Sequence, residues 1–267
     1  MAGRMTPTAP TGSRRPLVLG PRLAARVAAD GPALRVQAAG RAQVRFPLDR
    51  VSRVVAGSHT DWDAGALRAC LCRGIPVVIV GNDGAALGCL HPARARASSL
   101  AEGIEELLGR PSGSERYGCW LRAARMRVLV DWRETRRAAG GTLAPGAFED
   151  LVRIHVYRDD GRSPFGDRTG FWQGALSALA AETIGRFGLD PVYWGAGDEA
   201  LDLHRDLSRL LELRLHLEVS QGMEQGLHGD VAIFRVFHAL SAGLERAAAE
   251  TIASLARRVR QVLAEWR

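Results

Sequence analysis

The feature that most constrains this chain is a change of texture near residue 98. Residues 16–92 carry short β-branched or alternating runs, at 16–19, 34–37, 44–47 and 51–55, with Asp30-Gly31 and Gly40 between them. Such runs bounded by turn residues read as strands. One helix is expected at 64–73, where Gly74 would stop it. Ile75-Pro76-Val77-Val78-Ile79-Val80 reads as a buried strand with its proline near the start, Gly81-Asn82-Asp83-Gly84 as a turn, and 86–90 as a last short strand. From Ser98 onward alanine, leucine, arginine and glutamate dominate, and the alternation stops. There the spacing predicts helices near 98–109, 115–138, 146–158, 168–187, 199–219 and 231–265, the last one broken. Trp172, Leu176, Leu179, Thr183 and Phe187 make one stripe at helical spacing; Leu203, Leu207, Leu210 and Leu217 make another. The fold class is α+β: a small N-terminal β-roll or sandwich domain with one helix over 16–92, then a larger all-α domain over 98–267, with the boundary at 91–98. Residues 1–15 are rich in Thr, Pro, Gly and Arg and lack an apolar run, so they read as a disordered leader rather than a secretory signal.

A chain of 267 residues, 46% hydrophobic and 24% charged, can build one large core or two modest ones, and wholesale disorder is excluded. No run approaches the roughly 18 apolar residues of a membrane span, so a cytoplasmic protein without a membrane partner is expected. The net charge of +7 is carried entirely by arginine, with no lysine in the chain. GC-rich coding accounts for that choice, but guanidinium groups also bind phosphate bidentately and never deprotonate. Residues 1–60 hold ten arginines against Asp30 and Asp49. A second concentration, Arg116, Arg122, Arg125, Arg127, Arg133, Arg136 and Arg137, is opposed nearby only by Glu115, Asp131 and Glu134. Such asymmetry favours a polyanionic partner, although arginine-rich faces are often merely solvated. Cys70, Cys72, Cys89 and Cys119 form no C-x-x-C pair and read as buried reduced thiols rather than zinc ligands.

Four short motifs stand in order in the N-terminal half: Arg45-Phe46-Pro47-Leu48, Val54-Val55-Ala56-Gly57, Gly74-Ile75-Pro76-Val77 and Gly84 to Gly88. Further on, Gln173-Gly174-Ala175-Leu176-Ser177 precedes Gly188-Leu189-Asp190-Pro191. In order and spacing the chain resembles the CRISPR spacer-acquisition integrase family, the core adaptation subunit, over nearly its whole length. That resemblance implies a metal-dependent DNA integrase or endonuclease, in which a 3′-hydroxyl of spacer DNA attacks a phosphodiester of the repeat array. It also implies a divalent cation, Mg²⁺ or Mn²⁺, held by a Glu, a His and an acid. A hard cation prefers carboxylate oxygens and neutralises charge on the phosphorus oxygens. The implied partners are double-stranded DNA with 3′ ends, a second copy in a homodimer joined through the β domain, and a small ferredoxin-fold adaptation protein.

Carried onto this chain, the family's glutamate falls on Glu149, in Pro145-Gly146-Ala147-Phe148-Glu149 ahead of Arg153 and Tyr157. The family's last acids fall on Asp202 and, one position late, Asp206; Arg205 stands where the second acid is expected. These three acids are the candidate catalytic and metal residues. The family histidine has no counterpart in Val192-Tyr193-Trp194-Gly195-Ala196-Gly197, and His204 points away from Asp202 on a regular helix. Arg122, Arg125, Arg133, Arg136, Arg137, Arg153 and Arg205 are the candidate DNA contacts, and Trp194 could stack on an unpaired base. Glu149 is equally a first-turn acid favoured by the helix dipole, and the Asp/Arg face an ordinary solvated one. The resemblance leans toward the active integrase, while the missing histidine and Arg205 speak for the alternative, a catalytically inactive relative that binds DNA and assembles the complex.

Overall fold

The computed structural model describes residues 14–20, 22–92, 98–157, 170–189, 201–224 and 230–266. Residues 1–13 of the expected leader, residues 93–97 of the expected boundary, residues 190–200 with Trp194, and His228 lie outside the described residues.

Two four-stranded sheets make the N-terminal domain. The first runs in the order β1 (Arg15–Leu19), β5 (Val51–Gly57), β7 (Val77–Val80), β8 (Ala86–Leu90), parallel except for the β7–β8 pair. The second runs β4 (Val44–Pro47), β3 (Ala33–Ala38), β2 (Ala25–Asp30), β6 (Thr60–Trp62). Between them Val27, Leu34 and Val36 meet Leu17, Leu19, Val54, Ala56 and Val77, with Ala66 and Cys70 of helix α1 (Ala64–Cys72) closing the core. This is the expected sandwich with one helix. The sequence reading missed β2 and β6. Ala-Arg-Val-Ala-Ala-Asp has little intrinsic strand preference, and its pairing with β3 along all six residues supplies what propensity does not. The β2–β3 turn needs Gly31 at φ 58, a backbone that side chains disfavour. Cys70 is buried, which pushes its thiol up to about 11, but Cys72 and Cys119 are exposed, against the expectation of buried thiols.

The C-terminal domain is helical: α2 (Ser99–Leu108), α3 (Gly113–Ala138), α4 (Pro145–Val152) continuing as a π turn over Arg153–Tyr157, α5 (Gly170–Arg186), α6 (Leu203–Glu224) and α7 (Asp230–Glu265). Ser98 caps α2 by accepting the Ala101 N–H at 3.1 Å. The 36-residue α7 is continuous where a break was expected. It contains no proline, and Gly243 sits in open space without interrupting it. The two stripes read from the sequence are buried except for Phe187, which is partly buried, and Trp172, Leu176 and Leu179 pack with Leu203 and Leu207 against Leu244, Ile252, Leu255 and Val259 of α7.

Helix α5 joins the two domains. Its second face lies on the first sheet, where Ala178 meets Val55, Val78 and Val80. The approach is close enough that a Cβ on Gly174 would stand 2.1 Å from Val80 Cγ1 and 3.1 Å from the Gly84 carbonyl oxygen. Arg53 shares the Val55 face of β5 and is 3% exposed. Its guanidinium donates to Glu182 of α5 at 2.5 Å and to Glu245 of α7 at 3.1 Å. No described helix is long and apolar enough to cross a membrane.

Candidate functional site

Asp202 caps α6: its Oδ1 accepts the Arg205 N–H at 2.9 Å, leaving one orphan donor of the first turn satisfied. One turn on, Asp206 faces inward at 7% exposure, and its Oδ2 accepts the Tyr117 hydroxyl at 2.9 Å. Burial raises the Asp206 pKa; the Tyr117 hydrogen bond and the charges of Arg205 and Arg125 pull it back, and Asp202 adds to the rise. Burial likewise carries the Tyr117 hydroxyl well above its usual range, with Asp206 adding to it. A neutral phenol therefore donates to the carboxylate, with Arg125, itself 7% exposed, as the buried positive charge beside them. Arg205 reaches back to Asp202, Nε to Oδ2 at 3.6 Å.

Glu149 is elsewhere. It is exposed on α4, whose Phe148 lies beneath the Arg133 guanidinium at 4.3 Å from the ring centre, and whose Leu151 and Val152 pack with Leu129, Trp132, Leu213 and Leu217. Tyr117 and Arg133 are sixteen residues apart on α3, about 24 Å at 1.5 Å per residue. Glu149 thus stands by one end of α3 and Asp206 is bonded to the other. The structure brings Asp202 and Asp206 together and leaves Glu149 apart.

The donor chemistry decides how well these residues fit a divalent cation. Joint ligands must lie within about 2.0–2.6 Å of one ion. Asp206 already accepts a hydroxyl, two guanidinium groups supply the positive charge beside it, and Glu149 stands by the far end of α3. No group of three His, Cys, Asp or Glu residues that could hold an ion occurs among the described residues. The described residues do not fit the Mg²⁺ or Mn²⁺ that the resemblance implies; residues 192–197, where the family histidine is expected, lie outside them. His204 is held on the α5 side of α6, with Nε2 3.0 Å from the Ser177 carbonyl oxygen and its ring edge-on to His91 at 5.7 Å. It points away from Asp202, as the helical spacing predicted.

Of the candidate DNA contacts, Arg125 is buried beside Tyr117, Arg133 and Arg136 lie over the Phe148 and Trp132 rings, and Arg153 pairs with Asp150 at 2.5 Å. Arg122 donates to Cys119 Sγ at 3.2 Å, Arg205 pairs with Asp202, and Arg137 is exposed at the end of α3. The concentration of arginine along α3 is therefore largely absorbed by the chain itself. Reading the sequence alone passed over Arg257 and Arg258, which α7 carries to the side of α3 near Arg127. Their signal was an adjacent arginine pair on the polar face of a helix, which gains meaning only once α7 lies against α3.

A β sandwich joined by one buried helix to a larger helical domain is the architecture of a Cas1-type protein. Residues 22–103 match the family model of CRISPR associated protein Cas1. The chain shares the fold of a Cas1 protein from Thermotoga maritima at TM-score 0.67 and 12% identity, with 92% of this chain and 97% of that one covered. A casposase bound to integration product superposes at TM-score 0.51 and 10% identity, covering 91% of this chain and 82% of that one. The Cas6-RT-Cas1 protein in complex with Cas2 gives TM-score 0.60 and 12% identity over 97% of this chain and 36% of that one. No curated protein matches the sequence significantly.

Proposed function

We propose that this protein is a CRISPR adaptation subunit that holds double-stranded spacer DNA and assembles the integration complex, without itself performing strand transfer through Glu149, Asp202 and Asp206. The observation that carries the reading is the division of the acids, with Asp206 bonded to Tyr117 at one end of α3 and Glu149 exposed at the other. The match of residues 22–103 to the Cas1 family model and the shared fold support the adaptation role, and the surplus of arginine supports a polyanionic partner. A homodimer joined through the β domain and a ferredoxin-fold partner of the Cas2 kind complete the proposal; exposed Leu87 on the edge strand β8 and Val44 on the edge strand β4 are surfaces suited to such pairing.

The test is an in vitro strand-transfer assay with a 3′-hydroxyl duplex, a repeat-containing target and Mg²⁺ or Mn²⁺, run beside a DNA-binding measurement. The chain alone is expected to bind the duplex and to yield no joined product, and Glu149→Ala is expected to bind as the unchanged protein does. Metal-dependent joining that disappears in Glu149→Ala would overturn this reading and restore the catalytic one.

A further inference from the structure

The side of the helical domain formed by α3 and α7 carries a cavity of about 390 Å³ lined by Cys119, Trp120, Arg127, Ser254, Arg257 and Arg258, together with Ala123 and Gln261. Three guanidinium groups face it and no carboxylate lines it. Arg127 donates to Ser254 Oγ at 3.4 Å, and no described carboxylate pairs with Arg127, Arg257 or Arg258. The same two helices also carry an ion pair, Arg116 with Glu265 at 3.7 Å, whose residues do not line the cavity. Arg26, Arg45, Arg53, Arg73, Arg153 and Arg205 all have acid partners.

We infer that this groove is a binding site for the sugar–phosphate backbone of duplex DNA. The inference rests on the DNA-holding role proposed above and assigns it to residues. Ser254, Arg257, Arg258 and Gln261 recur at helical spacing on one side of α7 and span about 10 Å at 1.5 Å per residue. Phosphates of one strand advance about 3.4 Å along the duplex axis, so the row faces about three of them. Arginine, a serine hydroxyl and a glutamine amide are the groups that contact phosphate oxygens. The groove offers no stacking platform: its one aromatic, Trp120, is 6% exposed with its Nε1–H directed to Ser254 Oγ at 3.4 Å. That absence of an open ring favours a duplex backbone over an unpaired strand, which proteins hold by stacking.

The experiment compares the unchanged protein with two charge-matched triple variants, using a labelled 30-base-pair duplex titrated across a series of NaCl concentrations. Arg127→Gln/Arg257→Gln/Arg258→Gln removes three charges from the groove. Arg26→Gln/Arg45→Gln/Arg73→Gln removes three from ion pairs on the β domain. Neutralising a phosphate contributes a slope of about −0.9 in log K against log salt, so the groove variant should lose up to about 2.7 of the slope, while the control keeps it. Cys119 supplies a local readout, because it lies in the groove and is exposed, whereas exposed Cys72 is on α1. Saturating duplex is expected to slow maleimide modification of Cys119 several-fold and leave Cys72 unchanged. If the unchanged protein shows no salt-sensitive binding, the DNA-holding reading itself fails. If it binds, but both triple variants lose slope equally or Cys119 is unprotected, the groove assignment alone fails. Tighter binding of a single strand of equal length would overturn the choice of duplex.

Discussion

At the scale of single residues, a carboxylate with 7% exposure and one hydroxyl donor keeps its proton to higher pH than a free aspartate. For Asp206 the folded pKa lies above its ordinary 3.8, so across the window between those two values the folded protein binds more protons than the unfolded chain. Stability contributed by this group is therefore greatest on the acid side of that window and falls as pH rises through it. Asp206→Asn keeps an oxygen to accept the Tyr117 hydroxyl and removes the titration. Denaturant unfolding at a series of pH values should show the variant losing less stability from acid to neutral pH than the unchanged protein. A variant that loses more would mean that the charged carboxylate, paired with Arg125, stabilises the fold. Tyr117→Phe tests the partner and leaves a buried acceptor without its donor, at an expected cost of about 1–3 kcal/mol.

At the scale of elements, the sign of a glycine substitution turns on what the helix touches. Gly to Ala inside a helix ordinarily stabilises by about 0.5–1 kcal/mol. At Gly174 the new methyl would meet Val80 Cγ1 at 2.1 Å and a carbonyl oxygen at 3.1 Å, and β7 is a rigid interior strand. Overpacking of that kind costs about 1–3 kcal/mol, so Gly174→Ala should destabilise. Val80→Ala removes the clashing methyl, and unfolding of the double variant should recover part of the loss; strictly additive effects would argue that α5 shifts away from the sheet instead. This contact also marks a limit of sequence reading. The stripe from Trp172 to Thr183 announced a helix and one buried face, and the β-branched runs announced most of the first sheet. That α5 has a second buried face was hidden, because Gly174, Ala175, Ala178 and Ala181 carry no hydrophobic signal beyond small size. Strand β2 was hidden for the same reason, its alanines being neutral until β3 and β6 pair with them.

At the scale of the whole molecule, the two domains and their order were legible because each has its own period and composition. The candidate site was legible only as residue types. Nothing local to Glu149 or Asp206 tells that α3 separates them, and nothing local to Arg257 tells that α7 lies against Arg127. Those are consequences of tertiary packing, and the packing between domains is tied by Arg53. Its side chain is 3% exposed, bound to Glu182 at 15% exposure and to Glu245 at 41%. Breaking one partner of a buried ion pair costs about 3–5 kcal/mol, because an uncompensated charge stays behind, whereas replacing the pair by apolar groups of similar volume is often neutral. Arg53→Met is accordingly expected to lower unfolding stability by roughly 3 kcal/mol and to raise amide exchange in both β5 and α5, since the charge left behind lies between them. Arg53→Met combined with Glu182→Leu should recover most of that loss, with exchange in both elements slowed again. Should Arg53→Met leave amide exchange in α5 unchanged, while β5 alone exchanges faster, the ion pair would be a local feature of the strand and the seam between the domains would rest on the Val55–Val78–Val80–Ala178 contact and the fit of Gly174.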